Sequence, residues 1–451
     1  MWRYGTTNRS IISNKQFQMT KNRMIKSLLI LATLPACALL AQKEGNEREQ
    51  QILKALNETA TYISEVLINE EGYSRCDYNL TEGVWYDYEP PWHTGQAIYA
   101  LTEAYRLTGN ESYLETARRA GDWWVGLEIT DQPALNGMIN SIHGDHAGQV
   151  IVFATMSDGS AGLYKLYEAT GDRRYAEVPT RAGDWMLRNM CLLDEGVCYD
   201  NVDPETGEVL KENSPFWPEK EEQGLYDVAR PNNEGSLFLD MYEYTGNEEY
   251  REAFIILCNS LVEKQGERGM WMDFMPNDKA SGSIHPRFNL WYAESLIDGY
   301  EMTNDRRYLE AAERTARTFA EFQDGQGTIY YENFLDGSRD RSSITGSAVA
   351  FSGILWIRLK EHGVEGFDEH IELTADWILR NRFASDHPDP NLAGAVINTR
   401  LRHRKGKLWY TQRDIGSSFG VRFLASYYDL YFGGGNAENL SKKSVPRSIE
   451  P

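Results

Sequence analysis

The sequence predicts an all-α fold, an (α/α)6 toroid of helical hairpins in two concentric rings, and three observations carry the prediction. One nine-residue phrase recurs four times: YRLTGNESY from Tyr105, YEATGDRRY from Tyr167, YEYTGNEEY from Tyr242 and YEMTNDRRY from Tyr300. In each copy a helix stops at Gly or Asn, and an Asn or Asp then stands where the next helix needs a cap. Second, segments before the phrase, such as AIYALTEAY and GSLFLDMYE, are apolar on most sides, as an inner ring demands. Segments after it, such as RRYLEAAERTARTFAEF, carry one apolar stripe and one charged face, as an outer ring shows to water. Third, no Pro/Gly/Ser linker or composition break divides the hairpins, so they form one domain.

Taken in order, the apolar periodicity places twelve helices near 49–67, 94–107, 111–127, 159–169, 173–189, 233–244, 248–264, 289–302, 306–322, 345–360, 367–382 and 417–431. The tyrosines ending each phrase can pack across their own turn, and the first helix is expected to pair with the last to close the circle. Three outer helices share a further phrase, Gly121-Asp122-Trp123, Gly183-Asp184-Trp185 and Ala375-Asp376-Trp377. The spacing of the phrases, from Tyr105 to Tyr167, Tyr242 and Tyr300, is irregular and longer than the repeat of about 34 residues in a tetratricopeptide array. It suits helix, turn, helix and a variable loop, and the variable loops are where function belongs.

Ahead of the hairpins, Lys21, Arg23 and Lys26 precede SLLILATLPACALLA, an apolar run too short to span a membrane and shaped like an export signal. Leu34-Pro35-Ala36-Cys37 is similar to the box at which bacterial lipoproteins are cut and lipidated, with Pro35 departing from the pattern; cleavage near Ala41-Gln42 is the alternative. Residues 1–42 are therefore read as a processing segment with a candidate lipid anchor at Cys37, 43–435 as the catalytic toroid, and 436–451 as a disordered tail. Periplasm or cell surface is the expected location. A formal charge of −21 argues against nucleic acid as a partner. Cys191 and Cys198 flank a short loop and can pair, or can stay as buried thiols; the cysteine spacing matches neither a disulfide scaffold nor a zinc site, and no metal or cofactor is expected. Twelve Trp and 26 Tyr supply flat faces that suit sugar rings as well as a core.

On the recurring turn phrase and the alternation of helix character, the chain resembles the six-hairpin toroid glycosidase superfamily, which holds glycoside hydrolases, unsaturated uronyl hydrolases, toroid polysaccharide lyases and sugar epimerases. The resemblance covers roughly residues 50–432. It implies a substrate cleft at the end of the barrel, lined by the loops that lead into the inner helices.

Five such loops are polar and aromatic beyond ordinary turn chemistry. The first ends in Glu89-Pro90-Pro91-Trp92-His93-Thr94, where Trp92 and His93 are candidate substrate contacts and Thr94 a candidate helix cap. The second holds His143, Asp145 and His146, then Asp158; Asp145 and Asp158 are candidate catalytic carboxylates, His146 a substrate contact, and Asp158 alternatively an N-cap. In the third, Arg230 suits a substrate carboxylate, Asn232 and Asn233 suit sugar or uronate contacts or a cap, and Glu234 suits proton donation to a glycosidic oxygen. The fourth offers His285, Arg287 and Tyr292, with Asn289 as the cap, and the fifth Tyr410, Arg413 and Asp414. Two Arg-bearing loops beside aromatics fit acidic sugars better than neutral glucan.

Two reactions suit this inventory. Glycoside hydrolysis needs two carboxyl groups facing one bond, for which Asp145, Asp158, Glu234 and Asp414 stand ready. Beta-elimination from a uronate needs Asn or Arg to neutralise the carboxylate and His or Tyr to take the C5 proton, roles open to Asn232, Asn233, His285, Arg287 and Tyr292. Glycan capture without chemistry and epimerisation are further readings. A monomeric glycoside hydrolase acting on a uronic-acid-containing oligo- or polysaccharide is the favoured expectation.

Overall fold

The computed structural model describes residues 45–143, 149–212, 223–404 and 407–433. The chain comprises two compact units, Met1–Ile52 and Leu53–Pro451. Of the first, residues 45–52 are described and are helical; the predicted export signal and Cys37 lie outside the described residues. Among the described residues no helix is long and apolar enough to cross a membrane.

Among its described residues the second unit is built on twelve α-helices: α1 (53–62), α2 (Pro90–Thr108), α3 (Glu111–Val125), α4 (Phe153–Thr170), α5 (Arg174–Met190), α6 (Leu237–Thr245), α7 (Glu248–Lys264), α8 (Pro286–Thr303), α9 (Arg306–Phe322), α10 (Gly346–Glu361), α11 (Asp368–Arg380) and α12 (Ile415–Tyr431). Even-numbered helices pack on one another as the inner ring, α2 on α4, α4 on α6, α8 on α10, α10 on α12 and α12 back on α2. The 3-10 turn Glu234–Ser236 ahead of α6 touches both α4 and α8 and completes the circuit. This is the predicted (α/α)6 toroid.

Each repeated turn works through its Thr as well as its Gly and Asn. The hydroxyls of Thr108, Thr170, Thr245 and Thr303 donate back to the carbonyl four residues earlier, at 2.6–2.7 Å. The same oxygens accept the backbone N–H of the capping residue two positions on. Gly109, Gly171 and Gly246 take left-handed backbone angles there, and Asn304 does so with φ 59°. A β-branched side chain cannot adopt that conformation cheaply. Gly246→Val is therefore expected to lower unfolding free energy by about 1–2 kcal/mol, with Asn304→Gly neutral or stabilising; urea unfolding of both variants checks the pair.

The closing tyrosines do not pack across their own turns as expected. Tyr113, Tyr175, Tyr250 and Tyr308 reach the preceding outer helix, donating to the Asn57 carbonyl, Asp122, Asp184 and Asn259 at 2.9–3.1 Å. Asp122 and Asp184 are the acidic residues of the two Gly-Asp-Trp phrases, so that second repeat exists to receive the first. The last helix, α12, is an inner helix, while α1 is an outer one held through Arg382 to Glu58 at 2.9 Å and Thr59 to the Gly394 carbonyl at 3.2 Å.

Three inner helices start earlier than their periodicity suggested, because proline opens two of them: its fixed φ suits a first turn that lacks N–H partners in any case. Pro90 and Pro91 open α2, and Thr94 is no cap; its hydroxyl accepts the Ser74 N–H at 2.9 Å. Pro286 opens α8, capped by His285 and not by Asn289, whose side chain accepts the Trp271 N–H at 3.1 Å. In α4 the helix begins at Phe153, so Asp158 is no N-cap. Short sheets, unforeseen from the sequence, fill the loops before the inner helices. One runs in the order Thr399–Arg404, Lys407–Arg413, Asp77–Asn79, Val84–Tyr86. Cys191 and Cys198 are disulfide-bonded across a hairpin, and Cys76 and Cys258 are buried thiols.

Candidate active site

Three stretches of main chain press together at the mouth of the inner ring, and glycines make the contact. A Cβ on Gly95 of α2 would lie 2.0 Å from the Gly159 carbonyl oxygen of α4. One on Gly235, at φ +71°, would lie 2.7 Å from the Asp158 Cα. Trp92, Asp158 and Glu234, each one to three residues from such a contact, are thereby brought side by side.

Asp158 is buried and its Oδ2 accepts a hydrogen bond from Trp92 Nε1. Burial pushes its pKa up to about 8, against the indole donor and the Arg422 cation, with Glu294 and Glu234 adding to the rise. Glu234 is wholly buried; among the described residues neither of its oxygens has a hydrogen-bond partner. Burial lifts it to about 7, although Arg230 stands 3.2 Å from Oε1. The Arg230 guanidinium also donates to Asp200 at 2.7 Å and covers the Phe288 ring. Nearby, the Tyr292 hydroxyl is buried without a hydrogen-bond partner among the described residues, its ring against Trp271. Burial and the Glu234 charge hold that phenol well above its usual pKa, so it stays protonated.

Beside this pair lies a scaffold of charge. Arg413 donates to Asp77 at 2.8 Å and to Glu89 at 2.7 Å; Glu89 also receives His93 at 3.2 Å and His143 at 2.8 Å. His93 bonds Asp414 on its other face, and Ser74 donates to Asp414 at 2.7 Å. Burial would neutralise His93, yet Asp414 and Glu89 raise it to about 9. Burial would likewise protonate Glu89, but His143 and His93 hold it well below the carboxylate range. His93, Arg413 and Asp414, read as substrate contacts or as a candidate carboxylate, are thus committed to one another's elements inside the protein. Arg413 and Asp414 do not pair with each other.

A cationic corner completes the site. Arg287 is buried over the Trp92 and Tyr331 rings, with Nη1 3.3 Å from Ser347 Oγ and Nε unpartnered. Arg400 lies 4.2 Å over the same Tyr331 ring. Among the described residues neither arginine has a carboxylate within ion-pair distance. His285 meets the Tyr331 hydroxyl at 3.2 Å, and burial with Arg287 and Arg400 depresses it far enough to be neutral.

Of the other sequence candidates, Asp145 and His146 lie outside the described residues. Asn232 donates to the Cys198 carbonyl and to Asp200, and Asn233 to Cys258, so both amides serve the scaffold. Tyr410 points to the opposite face of its strand from Arg413 and donates to Thr399 at 2.8 Å. Sequence reading named Glu89 and His143 without giving either a role, and missed Asp200, Tyr331 and Arg400. Glu89 carried a signal, standing directly before the paired prolines; Tyr331 and Arg400 sit in strands whose register only the folded sheets disclose.

No curated protein matches the chain. Solved structures share its fold: an unsaturated glucuronyl hydrolase specific for heparin at 13% identity and TM-score 0.62, covering 84% of this chain and 98% of that one; an unsaturated glucuronyl hydrolase from Bacillus sp. GL1 at 15% and 0.61, covering 85% and 97%; and a cellobiose 2-epimerase from Bacillus thermoamylovorans at 12% and 0.60, covering 86% and 99%. The family described as β-L-arabinofuranosidase, GH127 catalytic domain, matches residues 14–266, more than half of the chain and a stretch that contains Trp92, Asp158 and Glu234. The chain therefore belongs to the β-L-arabinofuranosidase-like GH127 catalytic-domain family.

Proposed function

We propose that this protein is a glycoside hydrolase in which Asp158 is the general acid and Glu234 the general base, acting as a monomer through a single catalytic domain over 43–435. The observation that carries the reading is the pair itself: two buried carboxyl groups on touching backbones, one of them answered by the Arg230 cation 3.2 Å from Oε1. Ionising Glu234 makes Asp158 harder to ionise, so at neutral pH one proton sits on the acid while the base is half free. The kcat/KM profile is expected to be a narrow bell. It falls below about 7 as Glu234 takes up a proton and above about 8 as Asp158 loses one.

Arg287 and Arg400 support an acidic sugar, in keeping with the glucuronyl hydrolases that share the fold. Beta-elimination is disfavoured: Tyr292 is a poor base with its phenol so firmly protonated, and Asn232 and Asn233 are turned into the scaffold. Incubating the protein with uronate-bearing oligosaccharides and with an aryl β-L-arabinofuranoside, while reading reducing ends and ultraviolet absorbance of a C4–C5 double bond, tests the assignment. New reducing ends without a gain in that absorbance are expected; a gain in both would establish elimination and overturn it. Export follows from the basic residues before the apolar run, with Cys37 as the lipid attachment point. Loss of radiolabelled palmitate from Cys37→Ser in a bacterial host checks the anchor, and a wild-type protein that takes up no label rejects it.

A further inference from the structure

One side chain of α12 ties together α2 and α8 beside Asp158. Arg422 of α12 is buried; its Nη1 donates to Gln96 Oε1 at 2.8 Å and its Nη2 to Glu294 Oε1 at 3.1 Å. Its guanidinium lies 4.0 Å over the Tyr99 ring and 4.8 Å over Phe419, which leaves it little freedom. A primary amide has one acceptor end and one donor end. Because Arg422 takes the acceptor end of Gln96, the Nε2 donor end is turned the other way, where it meets the backbone carbonyl of Asp158 at 2.9 Å.

We infer that Arg422 is a positioning residue for the catalytic acid, clamping the main chain of Asp158 through Gln96 while Glu294 anchors the clamp to α8. The inference rests on the assignment of Asp158 as the acid. Arg422 belongs to neither the mouth nor the cationic corner, and a merely structural bridge would be indifferent to which group it supports. The charged groups around Asp158 settle what its loss would do. Glu234 faces it from the 3-10 turn, Glu294 from α8 and Arg422 from α12, while His93 and Arg287 stand beyond the Trp92 ring. The cation favours the Asp158 carboxylate and the two glutamates oppose it.

The test compares pH profiles of kcat and KM for wild type, Arg422→Met, Arg422→Lys, Glu294→Gln and Asp158→Asn on whichever glycoside the wild type cleaves. Arg422→Met is expected to lower kcat about tenfold with KM little changed, and to move the alkaline limb to higher pH because the acid loses a neighbouring cation. Arg422→Lys should return the limb toward wild type while recovering kcat only in part, since an ammonium cannot fork between Gln96 and Glu294. Glu294→Gln should move the limb the opposite way, to lower pH, and it stands as the test if Arg422→Met does not fold. Limbs within roughly 0.2 pH units of wild type in both variants, or shifted in the same direction, would overturn the inference. An inactive Asp158→Asn beside unmoved limbs defeats Arg422 alone; an active Asp158→Asn defeats the acid assignment and this inference with it.

Discussion

Glu234→Gln is expected to cut turnover by about a thousandfold while making the protein more stable above neutral pH. The first effect follows from removing the base: an amide cannot take a proton from water, and nothing else on the 3-10 turn replaces it. The second follows from where the group titrates. Its folded pKa is about 7, against 4.5 for an ordinary glutamate. Below 4.5 both folded and unfolded chains hold the proton, and Glu234 carries no penalty. Between 4.5 and about 7 the unfolded chain ionises while the folded one resists, so wild-type stability declines as pH rises, and the deficit is complete above about 7. Glutamine has nothing to titrate. Its advantage should grow from pH 5 to pH 8, reaching on the order of 3 kcal/mol. Chemical unfolding of both proteins at those two pH values reads the difference; an advantage that does not grow with pH would contradict the raised pKa, and retained turnover would remove Glu234 from the mechanism.

Arg413→Met should be the most destabilising single change in the charged scaffold, at about 3–5 kcal/mol. Arg413 is 1% exposed and its guanidinium serves two carboxylates, Asp77 and Glu89. Met fills much of the volume and supplies none of the charge, leaving both acids inside the protein without the guanidinium they share. The sign with pH is diagnostic. The depressed Glu89 contributes stability that is present above the ordinary carboxylate range and lost as pH falls through its lower folded value. Without Arg413 its pKa rises, so the variant's deficit should be largest at neutral pH and shrink in acid. Urea midpoints of the two proteins at neutral pH and at steps down through the carboxylate range measure this, and a deficit that does not shrink on that descent would show that packing, not charge, is what the arginine supplies.

Much of the ring was legible in the sequence because its hairpins are local. A helix stop, a cap and an apolar stripe lie within about twenty residues of one another, and the four turn phrases display them in register. Their partners were not legible: Tyr175 meets Asp122 and Tyr250 meets Asp184 across separate hairpins. The site divides along the same line. Asp158, Glu234 and Arg287 stood out as polar residues at the mouths of apolar helices. His93, Arg413 and Asp414 stood out for the same reason, and only the folded structure shows them consumed: Arg413 by Asp77 and Glu89, more than 300 residues earlier in the chain, and Asp414 by Ser74 and His93, while His93 also meets Glu89 four residues before it. Arg400 went unread because the alternation of Arg400, Arg402 and Arg404 along Thr399–Arg404 does not by itself say which strand it pairs with or that Tyr331 lies against it.

The seating of Gly235 on Asp158 has a consequence for how such a protein can diversify. It makes the spacing of the two carboxyls a property of the main chain, insulated from whatever the surrounding side chains become. The loops above can lengthen, shorten or change composition, and thereby admit a different sugar, without disturbing the geometry on which bond cleavage depends. Converting the ring to another kind of reaction is a different matter. On the proposed assignment it requires new residues at positions 158 and 234 themselves, so substrate range is free to drift while reaction type can change only in discrete steps.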